Sequence, residues 1–187
     1  YQLCVTTSLT LQGEVDPVEL HRVMRDSNPT HHQALIRSAD VTIVSASPET
    51  FVSLSKEGVV STRPIKGTRP RGSTPTEDQA LAQELLESDK ERAENLMIVD
   101  LMRNDLSRVC ETGTVRVPEL LVVESYATVH QLVSTITGQV REGLDVVDLL
   151  EATFPAGSMT GAPKKRAVEI LQQLEVHPRG LYSGTYG

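Results

Sequence analysis

The 187 residues are enough to bury one substantial core, and with only 3% aromatics and no Trp that core has to be built from Leu, Ile and Val. A net charge of -7 with no Lys/Arg block argues against a general nucleic-acid binder. No apolar run reaches membrane-spanning length, no stretch reads as a signal peptide, and Cys4 and Cys110 are too few for a disulfide framework, so reduced thiols in a cytoplasmic protein are expected.

Taken in chain order, Gln2 to Leu11 is β-rich. Asp16-Pro17 reads as an N-cap followed by Pro at the first helical position, with Leu20, Val23 and Met24 as a short apolar stripe. Ala34-Ser38 and Val41-Ala46 read as strands, Ser47-Pro48-Glu49 as a turn, and Phe51-Lys56 with Val59-Arg63 as a hairpin around Glu57-Gly58. Arg69 to Pro75 is basic and rich in Pro, Gly and Ser, which predicts a mobile loop, after which Thr76 is expected to cap a helix carrying Leu81, Leu85 and Leu86. Ser88-Asp89-Lys90-Glu91 has the capping-box pattern and predicts a second helix. Strand-like stretches follow at Val115-Val117, Leu120-Val123 and Val129-Val140. Asp145 is expected to cap a helix ending near Phe154-Pro155, and Pro163 to open a last helix with the stripe Ala167, Ile170, Leu171 and Leu174. Meander-like strands interrupted by helices point to an α+β layered domain rather than regular βαβ units. Tyr1 enters directly into a strand-like run and the other end stops after a Gly-rich turn, so the chain reads as an internal piece of a longer protein.

Four places carry residue types suited to chemistry. Lys66, in Arg63-Pro64-Ile65-Lys66-Gly67-Thr68-Arg69-Pro70, lies where a strand-like stretch meets a Gly-containing turn, and a partly desolvated amine there becomes a nucleophile. The blander alternative is a solvated turn lysine. Glu94, Met97, Ile98 and Leu101 share one helix face, which sets the Glu94 carboxylate on an apolar stripe, where it must be paired or bound to a metal. Spacing alone favours an ordinary ion pair, but Glu91 one turn earlier could add a second oxygen for a hard cation such as Mg²⁺. Gly161-Ala162-Pro163 is expected to present two backbone N–H groups at a helix start, ready for a carboxylate or phosphate, although the stretch is not a P-loop. His130 begins a strand on the face of Leu132, Ser134 and Ile136; a half-buried structural histidine is the default and a catalytic one the alternative. Glu49 would by itself be read as a surface acid.

Together, Ser45-Glu49, Pro64-Arg69, Arg92-Asp105, His130-Ser134 and Thr160-Lys164 resemble the chorismate-utilising family, whose members include anthranilate, aminodeoxychorismate, isochorismate and salicylate synthases. The resemblance implies a large α+β domain with an antiparallel β-sandwich core flanked by helices, of which residues 1–187 would be part, without the N-terminal portion and the C-terminal strands and helices. Anthranilate synthases carry Ala where Lys66 stands, and isochorismate and salicylate synthases carry a Lys base where Gln2 stands. The Pro-Ile-Lys-Gly-Thr form is therefore similar to component I of aminodeoxychorismate synthase. The implied chemistry adds the Lys66 amine at C2 of chorismate with loss of the C4 hydroxyl, then ammonia at C4 with loss of the lysine. It implies Glu49 as general acid/base, His130 as an active-site histidine, Glu94 as a Mg²⁺ ligand with a second acidic ligand beyond residue 187, and Gly67, Thr68, Arg69 and Tyr182 on the substrate; the reading of the residues adds Gln2, Gly161 and Ala162 on the substrate and Glu91 on the metal. Ammonia would come from a glutamine amidotransferase subunit or fused domain. Anthranilate synthase component I and a non-catalytic scaffold fragment remain the alternatives, and the 187 residues alone are expected to be inactive.

Overall fold

The computed structural model describes residues 1–186; Gly187, to which the resemblance extends, lies outside the described residues. In chain order the elements are β1 (Gln2–Leu3), α1 (Pro17–Ser27), β2 (His32–Ser38), β3 (Val41–Ser47), β4 (Thr50–Leu54), β5 (Val59–Arg63), β6 (Ile65–Pro70), α2 (Pro75–Glu87), α3 (Asp89–Ser107), β7 (Arg116–Ser125), β8 (Val129–Gln139), α4 (Val146–Thr153), α5 (Gly157–Thr160), β9 (Gly161–Ala162) and α6 (Lys164–Leu174). The strands pair antiparallel, and the class is α+β as the pattern predicts. Residues cluster into two units. One is Ser8–Thr50; the other joins Tyr1–Thr7 to the chain from Phe51 onward.

In the Ser8–Thr50 unit, Asp16 caps α1 by accepting from the Val18 amide, with Pro17 at the first helical position. β2 and β3 form a regular hairpin from His32↔Ser47 to Ser38↔Val41 around Ala39 and Asp40. Both features agree with the sequence reading.

The larger unit is organised by β8, whose β-branched Val129, Val133, Thr135, Ile136 and Thr137 suit a pleated ladder. β7 pairs along one edge of β8. The other edge is shared: β5 pairs from Val59↔Gln139 to Thr62↔Ile136, and β6 from Ile65↔Val133 to Pro70↔Val129. β5 and β6 are thus one long run alongside β8, broken at Pro64, which has no N–H to give a ladder. Between Ile65 and Thr68 the register slips, so Lys66 and Gly67 together oppose a single β8 residue. This is a β-bulge rather than the turn expected there. The core gathers Val60, Ile98, Val99, Met102, Leu106, Val109, Ile136, Val140, Leu149 and Ala152 between sheet and helices.

Several boundaries differ from the sequence reading, each for an identifiable reason. The β-rich stretch Gln2–Leu11 contracts to β1, because its ladder partner is only the two-residue β9. Beyond Leu3 the chain is held by side chains instead: Arg179 donates to the Cys4 and Met159 carbonyls at 2.8 and 2.6 Å, and Glu175 accepts from the Thr6 amide at 3.1 Å. The Arg179 guanidinium holds the Glu175 carboxyl down at about 2. The expected mobile loop at Arg69–Pro75 is strand at its start, since β6 runs to Pro70. The rest is tied down by α2: Arg71 donates twice to Asp78 at 2.7 Å, and the Gly72 and Ser73 amides donate to Asp78 and Glu77 at 2.8 Å. Helix α2 is capped by Thr74, with Pro75 at its first position, and not by Thr76. Ser88 does cap α3, and Asp145 caps α4 with a full capping box. The two strand-like stretches before Ser125 are one strand, β7, irregular at two places and with Leu121 at a φ of 57°.

Inside this packing a polar chain links three elements. Asn95 donates from Nδ2 to the Leu132 carbonyl at 3.0 Å, Ser134 donates from Oγ to Asn95 Oδ1 at 2.6 Å, and the Leu121 amide donates to Ser134 Oγ at 3.0 Å. The bulged Leu121 amide, off the regular ladder, is thereby satisfied. A second tie joins α3 to α6: Lys164 donates to Asp105 at 2.5 Å and to the Thr153 carbonyl at 2.6 Å, while burial pushes the Asp105 carboxyl up.

Asn95→Ala leaves the Leu132 carbonyl unpartnered and takes the acceptor from Ser134, so a loss on the order of 2–3 kcal/mol in urea unfolding is expected. A double-mutant cycle with Ser134→Ala should show strong coupling; additive losses would disconnect the chain. A second expectation concerns acid. Arg71 above all, with the Gly72 amide and His130, holds the Asp78 carboxyl well below its usual 3.8. A depressed carboxyl stabilises the fold above its unfolded pKa and stops doing so as pH falls through the folded one. The urea midpoint of Asp78→Asn should lie below that of the unsubstituted chain at neutral pH, and the gap should narrow below about pH 3.8. A gap independent of pH would remove Asp78 from the acid limb.

Candidate functional site

The bulge in β6 is where the predicted site residues converge. Opposite one residue of β8, a bulged strand turns two consecutive residues out of alternation and re-aims their side chains. Lys66 uses this to reach α5, donating from Nζ to the Ser158 carbonyl at 3.0 Å. Gly67 has a φ of 92°, and a Cβ there would lie 2.9 Å from both Glu91 Cβ and Leu85 Cδ1 and 3.1 Å from Glu91 Oε2. Only glycine lets the strand pass this close to the first turn of α3. Arg69, past the bulge, pairs with Glu84 at 2.8 Å and approaches Glu91 at 3.7 Å. Thr68 pairs with Gln131 across the ladder. Lys66, Gly67, Arg69 and Glu91 therefore form one cluster.

Glu94 joins the cluster from the next turn of α3. The buried stripe of that helix is Asn95, Ile98, Val99, Met102, Asp105 and Leu106, one residue round from the stripe expected through Glu94, Met97, Ile98 and Leu101. Glu94 therefore stands on the shoulder of the packed face, with its side chain 29% exposed, whereas Glu91 is only 13% exposed. Lys90 Nζ lies 3.8 Å from Glu91 Oε1 and 3.6 Å from Glu94 Oε1. Gln2 donates from Nε2 to the Glu94 backbone carbonyl at 3.2 Å, so β1 abuts the same turn.

Among the described residues no three His, Cys, Asp or Glu side chains converge on one point, so they form no closed protein cage for a metal. Glu91 and Glu94 nevertheless suit a hard cation that keeps waters and uses one or two carboxylates. A positive charge, the Lys90 ammonium, already stands between them.

Other predicted residues fall elsewhere. His130 is 1% exposed, and both ring nitrogens are engaged: Nε2 lies 2.9 Å from Asp78 Oδ1 and Nδ1 2.8 Å from Ser125 Oγ. With ionised Asp78 as an acceptor, Nε2 carries a proton and neutral His130 accepts from Ser125. The structural reading of this histidine fits that geometry, and the ring has no free nitrogen for a substrate. Gly161 and Ala162 are strand β9 and do not begin a helix. The Gly161 amide closes α5 on the Gly157 carbonyl, and α6 starts at Lys164. The expected pair of helix-start amides is thus not formed. Tyr182, in a turn, is 59% exposed. Glu49 sits at the end of β3 in the Ser8–Thr50 unit, where its carbonyl lies 3.4 Å from Ser47 Oγ. A surface groove of about 470 Å³, lined by Asp100, Arg103, Asn104 and Glu111, is at the far end of α3 from the bulge.

Sequence reasoning missed Lys90, Asp78 and Arg179, and it took Ser158 for a hydroxyl donor where its carbonyl is what Lys66 meets. Lys90 alone had a readable signal, four residues before Glu94 on a predicted helix. The others act through contacts more than twenty residues away in sequence or through the unforeseen α5.

The family model described as "chorismate binding enzyme" matches residues 1–187. The chain is 51% identical over 190 residues to the chloroplastic aminodeoxychorismate synthase of Arabidopsis thaliana, and 46% identical over 187 residues to the aminodeoxychorismate synthase of Streptomyces pristinaespiralis. It is 49% identical over 187 residues to "anthranilate synthase component 1 2" of Haloarcula marismortui. Each match takes in 100% of this chain but only 21%, 26% and 35% of the respective relative. The crystal structure of anthranilate synthase component I from Streptococcus pneumoniae TIGR4 superposes with a TM-score of 0.81 at 38% identity, covering 91% of this chain and 37% of that one. With a family match over its whole length and a solved relative of the same fold, the chain belongs to the chorismate binding enzyme family.

Proposed function

We propose that these residues are part of the catalytic domain of an aminodeoxychorismate synthase, which converts chorismate and ammonia to 4-amino-4-deoxychorismate and water. The observation that carries this reading is the Lys66 amine, lifted out of the strand by the bulge and directed to α5 beside Gly67 and Glu91. Identity does not separate the branches, since relatives named for either activity match at 45–51%. The amine at position 66 does.

On this reading Lys66 Nζ leaves the Ser158 carbonyl and forms a bond to C2 of chorismate as both ring double bonds shift and the C4–O bond breaks. The departing oxygen is protonated and leaves as water, the general-acid part that the family resemblance gives to Glu49. Ammonia then bonds to C4, both double bonds return and the C2–N bond to Lys66 breaks. Gly67 permits close approach of substrate to strand, Thr68 and Arg69 flank it, and Gln2 cannot deprotonate a water that would compete at C2. A Mg²⁺ held by Glu91 and Glu94 would supply positive charge for the C1 carboxylate. His130 serves here as a positioning residue, fixing the start of β8 opposite Arg69. Ammonia is supplied by a glutamine amidotransferase partner or domain, and the product enters folate synthesis. Cys4 and Cys110 are free thiols, in keeping with a reducing, cytoplasmic setting, and no helix of the described residues is long and apolar enough to cross a membrane.

Mass spectrometry of the complete enzyme of which these residues are part, incubated with chorismate, Mg²⁺ and ammonium, tests the reading: 4-amino-4-deoxychorismate should appear, with a chorismate-derived adduct on Lys66. Anthranilate as the main product would transfer the protein to the other branch. Lys66→Ala should abolish the adduct and lower product formation at least about 100-fold. Full activity in that variant, with no adduct in the parent, would end the covalent route. Glu94→Gln should raise the Mg²⁺ concentration for half-maximal activity about tenfold or more, because the amide keeps the shape and loses the charge.

A further inference from the structure

Lys90 occupies a position that helix stability does not explain. Its side chain is 74% exposed, and it precedes its ion-pair partner Glu94 by one turn, the weaker of the two orders for such pairs. Yet its ammonium lies within 3.8 Å of both carboxylates that would hold Mg²⁺. Arg69 approaches Glu91 as well, at 3.7 Å, so Glu91 has two cationic neighbours and Glu94 has one.

We propose that Lys90 is a tethered counterion that occupies the cation position between Glu91 and Glu94 and is displaced when Mg²⁺ binds, setting the affinity of the site for the metal. The proposal rests on the Mg²⁺ assignment above. Without a cation, two carboxylates one turn apart, one of them largely buried, repel each other across the start of α3. The ammonium relieves that repulsion in the metal-free protein. It is also easily expelled, since its exposed, flexible stem swings into water without breaking any packing. A divalent ion must then compete with a charge attached to the same turn, and removing that charge should tighten binding.

The test is direct Mg²⁺ titration of the full chain by calorimetry, and Mn²⁺ titration by electron paramagnetic resonance, without chorismate. The variants are Lys90→Met, Lys90→Arg and Glu94→Gln, with circular dichroism to verify the fold. Lys90→Met should bind on the order of three- to tenfold more tightly, Lys90→Arg about as the parent, and Glu94→Gln more weakly. Binding seen only in Lys90→Met would support the proposal more strongly still. Equal affinity of Lys90→Met and the parent, with loss in Glu94→Gln, would overturn the role of Lys90 and leave the metal assignment standing. No binding in any variant, or binding indifferent to Glu94→Gln, would overturn both.

Discussion

Strand β8 is the common hydrogen-bonding partner of β5, β6 and β7, and most of it is buried on both faces. A strand in that position cannot leave a polar group to water, so the arrangement around it follows from satisfying its polar residues. Ser134 is answered by Asn95 and the Leu121 amide, which fixes α3 and the irregular part of β7. His130 is answered by Asp78 and Ser125, which fixes α2 and the end of β7. Asp78 is in turn held by Arg71, so the segment leading out of β6 is fixed too. Apolar burial supplies the driving force, but it does not choose a register. The hydrogen-bonded polar chain does.

What was legible in the sequence was local. Asp16-Pro17, Ser88 and Asp145 announced helix starts, and alternating or β-branched runs announced β2, β3, β5 and β8. Thr74-Pro75 carried the same signal as Asp16-Pro17 and was passed over for Thr76. The losses came where a distant partner decides. Gln2–Leu11 has strand composition but only two residues of ladder to pair with. Gly161-Ala162 looks like a helix start but becomes strand because β1 lies beside it. The identity of the site residues was legible through the family motifs. Their grouping was not, because the contact of Gly67 with Glu91 depends on a bulge that no local propensity marks.

Each carboxylate of the cluster at the bulge has a cationic side chain beside it. Glu91, Glu94 and Glu84 face Arg69 and Lys90, and Lys66 is bonded to a neutral carbonyl. The nucleophile candidate is thus the basic side chain of the group that is bonded to a carbonyl rather than to a carboxylate. Asp105 and Lys164, also in the family motifs, have a different fate: they clamp α3 to the start of α6 and to the end of α4. Motif membership alone did not distinguish the two kinds of residue; their surroundings do.

The bulge has a consequence for sequence change. Lys66 and Arg69 are three positions apart, an odd number, so an unbroken strand would send them to opposite faces of the sheet. The extra residue shifts the phase of β6, and both reach the face on which α2, α3 and α5 pack. Either change alone, a regular ladder with the three-position spacing or a bulge with one residue fewer before Arg69, would separate the amine from the guanidinium by the thickness of the sheet. Bulge and spacing are therefore constrained together, and a related chain that keeps every charged residue but changes only one of the two would present a different site.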